Sequence, residues 1–198
     1  MEYREEDVTV DGFKIHFLEW GSGGPKIVLL HGSWPWGMAH NLDMLSLPLS
    51  RENHLLVPDL PGFGGSDDPQ VEMGYKVQIE ILHNVVKRRG FNRFTLIGIS
   101  YGGLLTMVWS ALYPEDIRCA VLLDMPPLSY AEPSPPDPRA RPQTCPEEFL
   151  SREDALEFCA KVYPGFTRDY MVEQLAHGDM DEDGTIVPPS PQYRRQLI

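Results

Sequence analysis

Thr95-Leu96-Ile97-Gly98-Ile99-Ser100-Tyr101-Gly102-Gly103 is the stretch whose reading decides the fold. An apolar run ends in Gly-Ile-Ser-Tyr-Gly, and a helix-forming run follows at once. A G-x-S-x-G pattern between a strand and a helix is the context of a nucleophile elbow. In such a turn Ser100 adopts a strained backbone that lifts its hydroxyl above the sheet edge. Gly98 and Gly102 suit a place where strand and helix pass too closely for side chains. Five residues alone occur by chance, so the flanks carry the reading.

On the C-terminal side, a helix is expected from about Tyr101 to Leu112, ended by Tyr113-Pro114. Its N-terminus would aim partial positive charge at the site and favour a developing anion. Cys119 to Leu123 then reads as a buried strand ending at Asp124. On the N-terminal side, Phe94 to Gly98 is the elbow strand. Residues 70–89 before it read as an amphipathic helix. Val77, Ile81 and Val85, with Ile79, Leu82 and Val86, form its apolar face, and Gly90 stops it.

Further upstream, Leu55-Leu56-Val57 is a strand leading into Pro58-Asp59-Leu60-Pro61-Gly62-Phe63-Gly64-Gly65-Ser66-Asp67. The glycines permit a compact loop, but the Lys-Ser/Thr of a phosphate loop is missing. Residues 38–47 read as a short helix. Lys26 to Leu30 reads as a strand buried on both faces. Residues 7–10 and 13–18 form a hairpin around Asp11-Gly12, with Ile15, Phe17 and Trp20 on one face. Strands alternating with helices indicate an α/β class with a mostly parallel sheet and an N-terminal antiparallel hairpin.

The strand at 26–30 ends in His31-Gly32-Ser33-Trp34, the second feature of interest. An acyl-transfer site needs two donors aimed at the oxyanion of its tetrahedral intermediate. The backbone N–H groups of Ser33 and Tyr101 are the candidates. His31 reads as a loop tether held by hydrogen bonds, not as a base. Trp34, Trp36 and Met38 suit either an acyl pocket or packing, and Trp34 is taken as a candidate substrate-binding residue.

Composition shifts after Asp124. Pro126, Pro127, Pro133, Pro135, Pro136, Pro138, Pro142 and Pro146 crowd a stretch that cannot be helix interior or central strand. Two short helices follow. Ser151 to Asp154 resembles a capping box for 152–162, and Thr167 caps 168–176 with Gly178 as the stop. Asp183-Gly184 is a turn, and 191–198 begin another helix. The expected organisation is a core over 1–125 and a partial Pro-rich, helical cap or lid over 126–198.

The 198 residues favour one domain with an insertion. A net charge of −12 argues against nucleic acid and anionic membranes as partners. Asp179, Asp181, Glu182 and Asp183 read as a solvated loop without calcium-loop spacing. Cys119, Cys145 and Cys159 suit reduced thiols in a cytoplasmic protein. The charged N-terminus is no signal peptide, and no apolar run approaches the ~20 residues of a membrane span. No cofactor or metal is expected, and the partner is a small-molecule substrate.

The order strand–His-Gly, Asp-Leu-Pro-Gly-Phe-Gly-Gly-Ser-Asp, Gly-Ile-Ser-Tyr-Gly-Gly and Leu-Leu-Asp resembles the α/β-hydrolase family. It is most similar to the lid-bearing esterases, lipases and carbon–carbon bond hydrolases, over residues 6 to 125. The resemblance implies Ser100 as nucleophile, with the Ser33 and Tyr101 amides as oxyanion hole. It implies a serine hydrolase cleaving an ester-like bond (carboxylester, thioester or activated ketone) through an acyl-enzyme. Aspartate at the elbow would suggest epoxide or haloalkane chemistry, and serine argues against both.

The family's acid and histidine follow the nucleophile in the chain, normally after strands that come behind the cap. No such strand is readable here. Each strand–helix unit takes roughly 30 residues, so the expectation is a chain truncated before its acid and base. Asp124 is a position where some members place the acid, and it is the candidate here. Of the histidines, only His177 in the cap is placed to overhang Ser100, with a surface helix end as the plainer reading. Truncation would leave 119–123 as a sheet edge open to a second copy or a completing chain. The alternative function is therefore a non-catalytic or split module that binds a partner or ligand.

Overall fold

The computed structural model describes residues 3–34, 36–70, 73–124, 146, 148–162, 164–165 and 167–177. Strands β1 (Tyr3–Val10) and β2 (Phe13–Trp20) form the N-terminal hairpin. Asp11 and Gly12 both take positive φ, 52° and 83°, as the tight turn between right-twisted strands requires. β3 (Lys26–Leu30) follows, then a 3-10 turn at Ala39–Leu42 and α1 (Asp43–Leu49). Next come β4 (His54–Pro58), α2 (Tyr75–Arg88), β5 (Phe94–Ile99) and α3 (Tyr101–Leu112). β6 (Ile117–Leu123), α4 (Arg152–Val162) and α5 (Arg168–Ala176) complete the described strands and α-helices.

The sheet order is β1-β2-β4-β3-β5-β6. β2 pairs antiparallel with β1 and β4, and β4, β3, β5 and β6 run parallel. This is the α/β-hydrolase arrangement, a mostly parallel sheet with an antiparallel hairpin at one end. The chain leaves β3 for β4 on one side and returns to β5 on the other. Ligands bind beyond the strand C-termini at such a switch point.

Alternation within β3 explains its apolar run. Val28 and Leu30 join one buried cluster, with Ile79, Leu82, Val85 and Val86 of α2 and Leu105 and Trp109 of α3. Ile27 and Leu29 join another on the opposite face, with Leu55, Val57, Ala39 and Leu42. The expected apolar face of α2 needs one correction. Val77 is 46% exposed, and Gln78 is buried in its stead. Gln78 Nε2 donates to Met73 O at 2.7 Å, which pays for its burial. The helix also begins at Tyr75, not 70, because Gly74 holds extended backbone at its N-cap.

A third apolar cluster joins Trp36 and Met38 to Phe149, Ala155, Leu156 and Cys159, and to Met171 and Leu175 of α5. Trp36 and Met38 are therefore packing residues, and neither lines the cavity at Ser100. Both expected caps form: Asp154 N donates to Ser151 Oγ and Tyr170 N to Thr167 Oγ1. The prolines at 126–142, Cys145, Gly178, the acidic cluster, Asp183-Gly184 and 191–198 lie outside the described residues. No described helix is long and apolar enough to cross a membrane.

Candidate active site

The elbow is built by steric exclusion. Ser100 takes φ 51° and ψ −113°, a strained conformation for a non-glycine residue. A Cβ on Gly98 would lie 2.1 Å from Gly102 O, and one on Gly102 would lie 2.3 Å from Leu30 O. Only glycines let the first turn of α3 rest on β5 and on the end of β3. Ser100 N donates to Leu123 O at 2.9 Å, and Ser100 O accepts from Leu104 N at 3.0 Å. The residue is thus pinned between the edge strand and the helix it opens.

Ser100 lines a cavity of ≈450 Å³. Gly32, Ser33 and Trp34 from the loop after β3 form one wall, and Ile99 and Asp124 another. Asn41, Leu42 and Tyr170 complete the lining. Ser33, Trp34, Ser100 and Asp124 therefore share one cavity. Asp124 sits just past β6 with φ 52°. Tyr101 contributes otherwise: its ring packs by Phe63 and Tyr75, and its hydroxyl donates to Gln78 Oε1 at 3.0 Å. Its backbone amide lies at the N-terminus of α3.

The loop after β3 is held by two buried polar residues. His31 is fully buried, and its Nδ1 donates to Gly32 O at 2.8 Å. Its Nε2 accepts from Leu60 N at 3.0 Å, which fixes the tautomer. Burial holds its pKa below the usual imidazole range despite nearby Asp59. It is a neutral tether. Asp59 Oδ1 accepts from Ala39 N at 2.5 Å and Oδ2 from Gly65 N at 2.7 Å. The glycine-rich loop after β4 thus folds around a carboxylate that also holds the 3-10 turn. A Cβ on Gly64 would sit 2.1 Å from Asp59 Oδ2.

All six histidines fall among the described residues, and none lines the Ser100 cavity. His16 pairs with Asp7, His54 with Glu19 and His83 with Asp116. The idea that His177 overhangs Ser100 is corrected. Its ring stacks on His40 at 3.9 Å between centroids, facing a separate cavity. The C-terminus of α5 points there because Met171 and Leu175 anchor the other face.

Two polar cavity residues escaped the sequence reading. Asn41 Oδ1 accepts from Trp34 Nε1 at 2.9 Å and Met38 N at 2.7 Å, and its amide donates to Gln174 of α5. Tyr170 reaches the cavity from α5, some 70 residues beyond the elbow (170 against 100). An Asn in a turn is too ordinary a signal to single out.

A family model described as the alpha/beta hydrolase family matches residues 27–197. A 2-hydroxy-6-oxo-2,4-heptadienoate hydrolase of Pseudomonas putida is 28% identical over 200 residues, 88% of this chain and 72% of the relative. A soluble epoxide hydrolase of a Corynebacterium species is 27% identical over 63% of this chain, but only 42% of its own length is covered. Among solved structures, a thioesterase domain from the curacin biosynthetic pathway superposes with a TM-score of 0.72, covering 100% of this chain and 77% of that one. At 18% identity that likeness speaks for the fold alone.

Proposed function

The chain belongs to the alpha/beta hydrolase family, and on that premise we propose that it carries the nucleophile half of a serine hydrolase. The carrying observation is Ser100, strained at φ 51° on the floor of a cavity it shares with Ser33 and Asp124. Its Oγ attacks a carbonyl, and the Ser33 and Tyr101 amides receive the oxyanion. The substrate is a small organic acid derivative with an ester, thioester or activated-ketone bond. An epoxide is disfavoured by chemistry: opening it with a serine gives an alkyl ether, which water does not hydrolyse. A carboxylate nucleophile gives an ester, which water does.

None of the six histidines lines the cavity, so Ser100 is assigned no proton acceptor among the described residues. Without a base the hydroxyl is a weak nucleophile. Asp124 is the proposed acid. The test is labelling by a fluorophosphonate, with Ser100→Ala as control. It is run on the folded 198 residues and with any residues the gene encodes beyond Ile198. Labelling that Ser100→Ala abolishes supports the reading, and no labelling of either folded form refutes it.

One observation favours a second reading, a partner-binding module. β6 is a sheet edge among the described strands, with Cys119 and Ala120 exposed and Leu122 43% exposed. Bare edges of this kind accept strands. Light scattering decides: a stable monomer that turns over esters excludes this reading.

A further inference from the structure

A second group of chemically capable side chains lies where α5 meets the core, away from Ser100. His40 belongs to the 3-10 turn, Asp43 opens α1, and His177 follows α5. One ligand atom from each falls within 4.8 Å of the other two. His40 Nδ1 is 3.0 Å from Asp43 Oδ2, and its Nε2 is 3.2 Å from Glu5 Oε1. A cavity of ≈290 Å³ opens beside them, lined by Glu5, His16, His40, Asp59 and His177 among others.

An independent observation points to a cation. Asp43 Oδ1 is buried and has no hydrogen-bond partner among the described residues. A buried carboxylate oxygen left bare is costly, and a nearby positive ion removes that cost.

We propose that His40, Asp43 and His177 bind a divalent transition-metal ion of the zinc class, which bridges the start of α1 to the end of α5. Two imidazoles and a carboxylate suit zinc and its neighbours, whereas magnesium and calcium prefer oxygen alone. His40 binds through Nδ1 as a neutral ring. Its Nε2–H then donates to Glu5 Oε1, the carboxylate–histidine–metal arrangement that fixes a ligand ring. Bonds of about 2.0–2.2 Å place tetrahedral ligand atoms roughly 3.4 Å apart. The present spread of up to 4.8 Å closes by about 1.4 Å. The exposed His177 makes that move by turning out of its stack on His40. Three protein ligands leave one position for water. The bridge is independent of the chemistry at Ser100.

The experiment is calorimetric titration of the untagged, folded chain with zinc chloride, and with cobalt(II) as a spectroscopic probe. The expected result is one ion per chain at micromolar or tighter affinity, and the strong visible bands of four-coordinate cobalt. His177→Ala alters an exposed residue, so its fold is retained, and circular dichroism verifies this. It should weaken binding about 100-fold or more, as should Asp43→Asn. Glu5→Gln removes only the orienting contact and should weaken binding about 10-fold. Absence of saturable binding at millimolar zinc overturns the proposal. So does binding that is unchanged in both folded variants, His177→Ala and Asp43→Asn.

Discussion

Replacing Gly102 by alanine tests the close approach on which the elbow depends. The new methyl would lie 2.3 Å from Leu30 O and 2.6 Å from His31 O. Comfortable contact is about 3.5 Å, so the first turn of α3 must retreat by roughly 1 Å. Leu105 and Trp109, both fully buried on α3, would be drawn from their contacts. Overpacking of this kind costs about 1–3 kcal/mol, and backbone displacement places this case at the upper end. We expect about 3 kcal/mol, a fall in Tm of roughly 6–12 °C for a chain of this size. Urea unfolding followed by tryptophan fluorescence gives the stability, provided the m-value is unchanged. Gly23→Ala is the control, since its Cβ meets nothing within 4 Å. It should stay within about 0.5 kcal/mol of the parent. If Gly102→Ala also does, the close-approach reasoning is wrong.

Ser100→Gly removes a strained non-glycine conformation, so unfolding should require about 1 kcal/mol more while fluorophosphonate labelling disappears. Asn41→Ala deletes the acceptor for Trp34 Nε1 and Met38 N and the link to Gln174. A loss of about 1–3 kcal/mol is expected in urea unfolding. Acid should destabilise the fold through Glu19, which is 3% exposed. Burial pushes its pKa up, but hydrogen bonds from His54 and Arg89 outweigh this and hold it below the usual value. A depressed folded pKa gives stability that is present above about pH 4.5 and lost as pH falls through the folded value. Glu19→Gln should therefore flatten the fall in Tm below pH 5.

The sheet was legible because its signals are local. Val28 and Leu29 sit in an unbroken apolar run, and such runs are strands covered on both faces. The elbow was legible because Gly98 and Gly102 report a steric necessity. His31 could be assigned as a tether because His-Gly after a buried strand leaves the ring no route to solvent. Val77 was misplaced because helical periodicity in an apolar-rich segment does not say where the face ends. Asn41, Tyr170 and His177 could not be placed, since their positions follow from how α5 lies on Trp36 and Met38. That packing joins residues more than 130 positions apart, and no window of sequence contains it.

The hydrogen bond from Ser100 N to Leu123 O ties the proposed nucleophile to β6, the edge among the described strands. Edge strands open first in native-state fluctuations, and their amides exchange soonest. Each time β6 frays, the elbow loses its latch and Ser100 is free to relax. The share of time Ser100 spends in this geometry then follows the opening equilibrium of β6, which protection of the Ser100 amide against exchange reports. Whatever strand covers that edge also lengthens the time the serine spends poised.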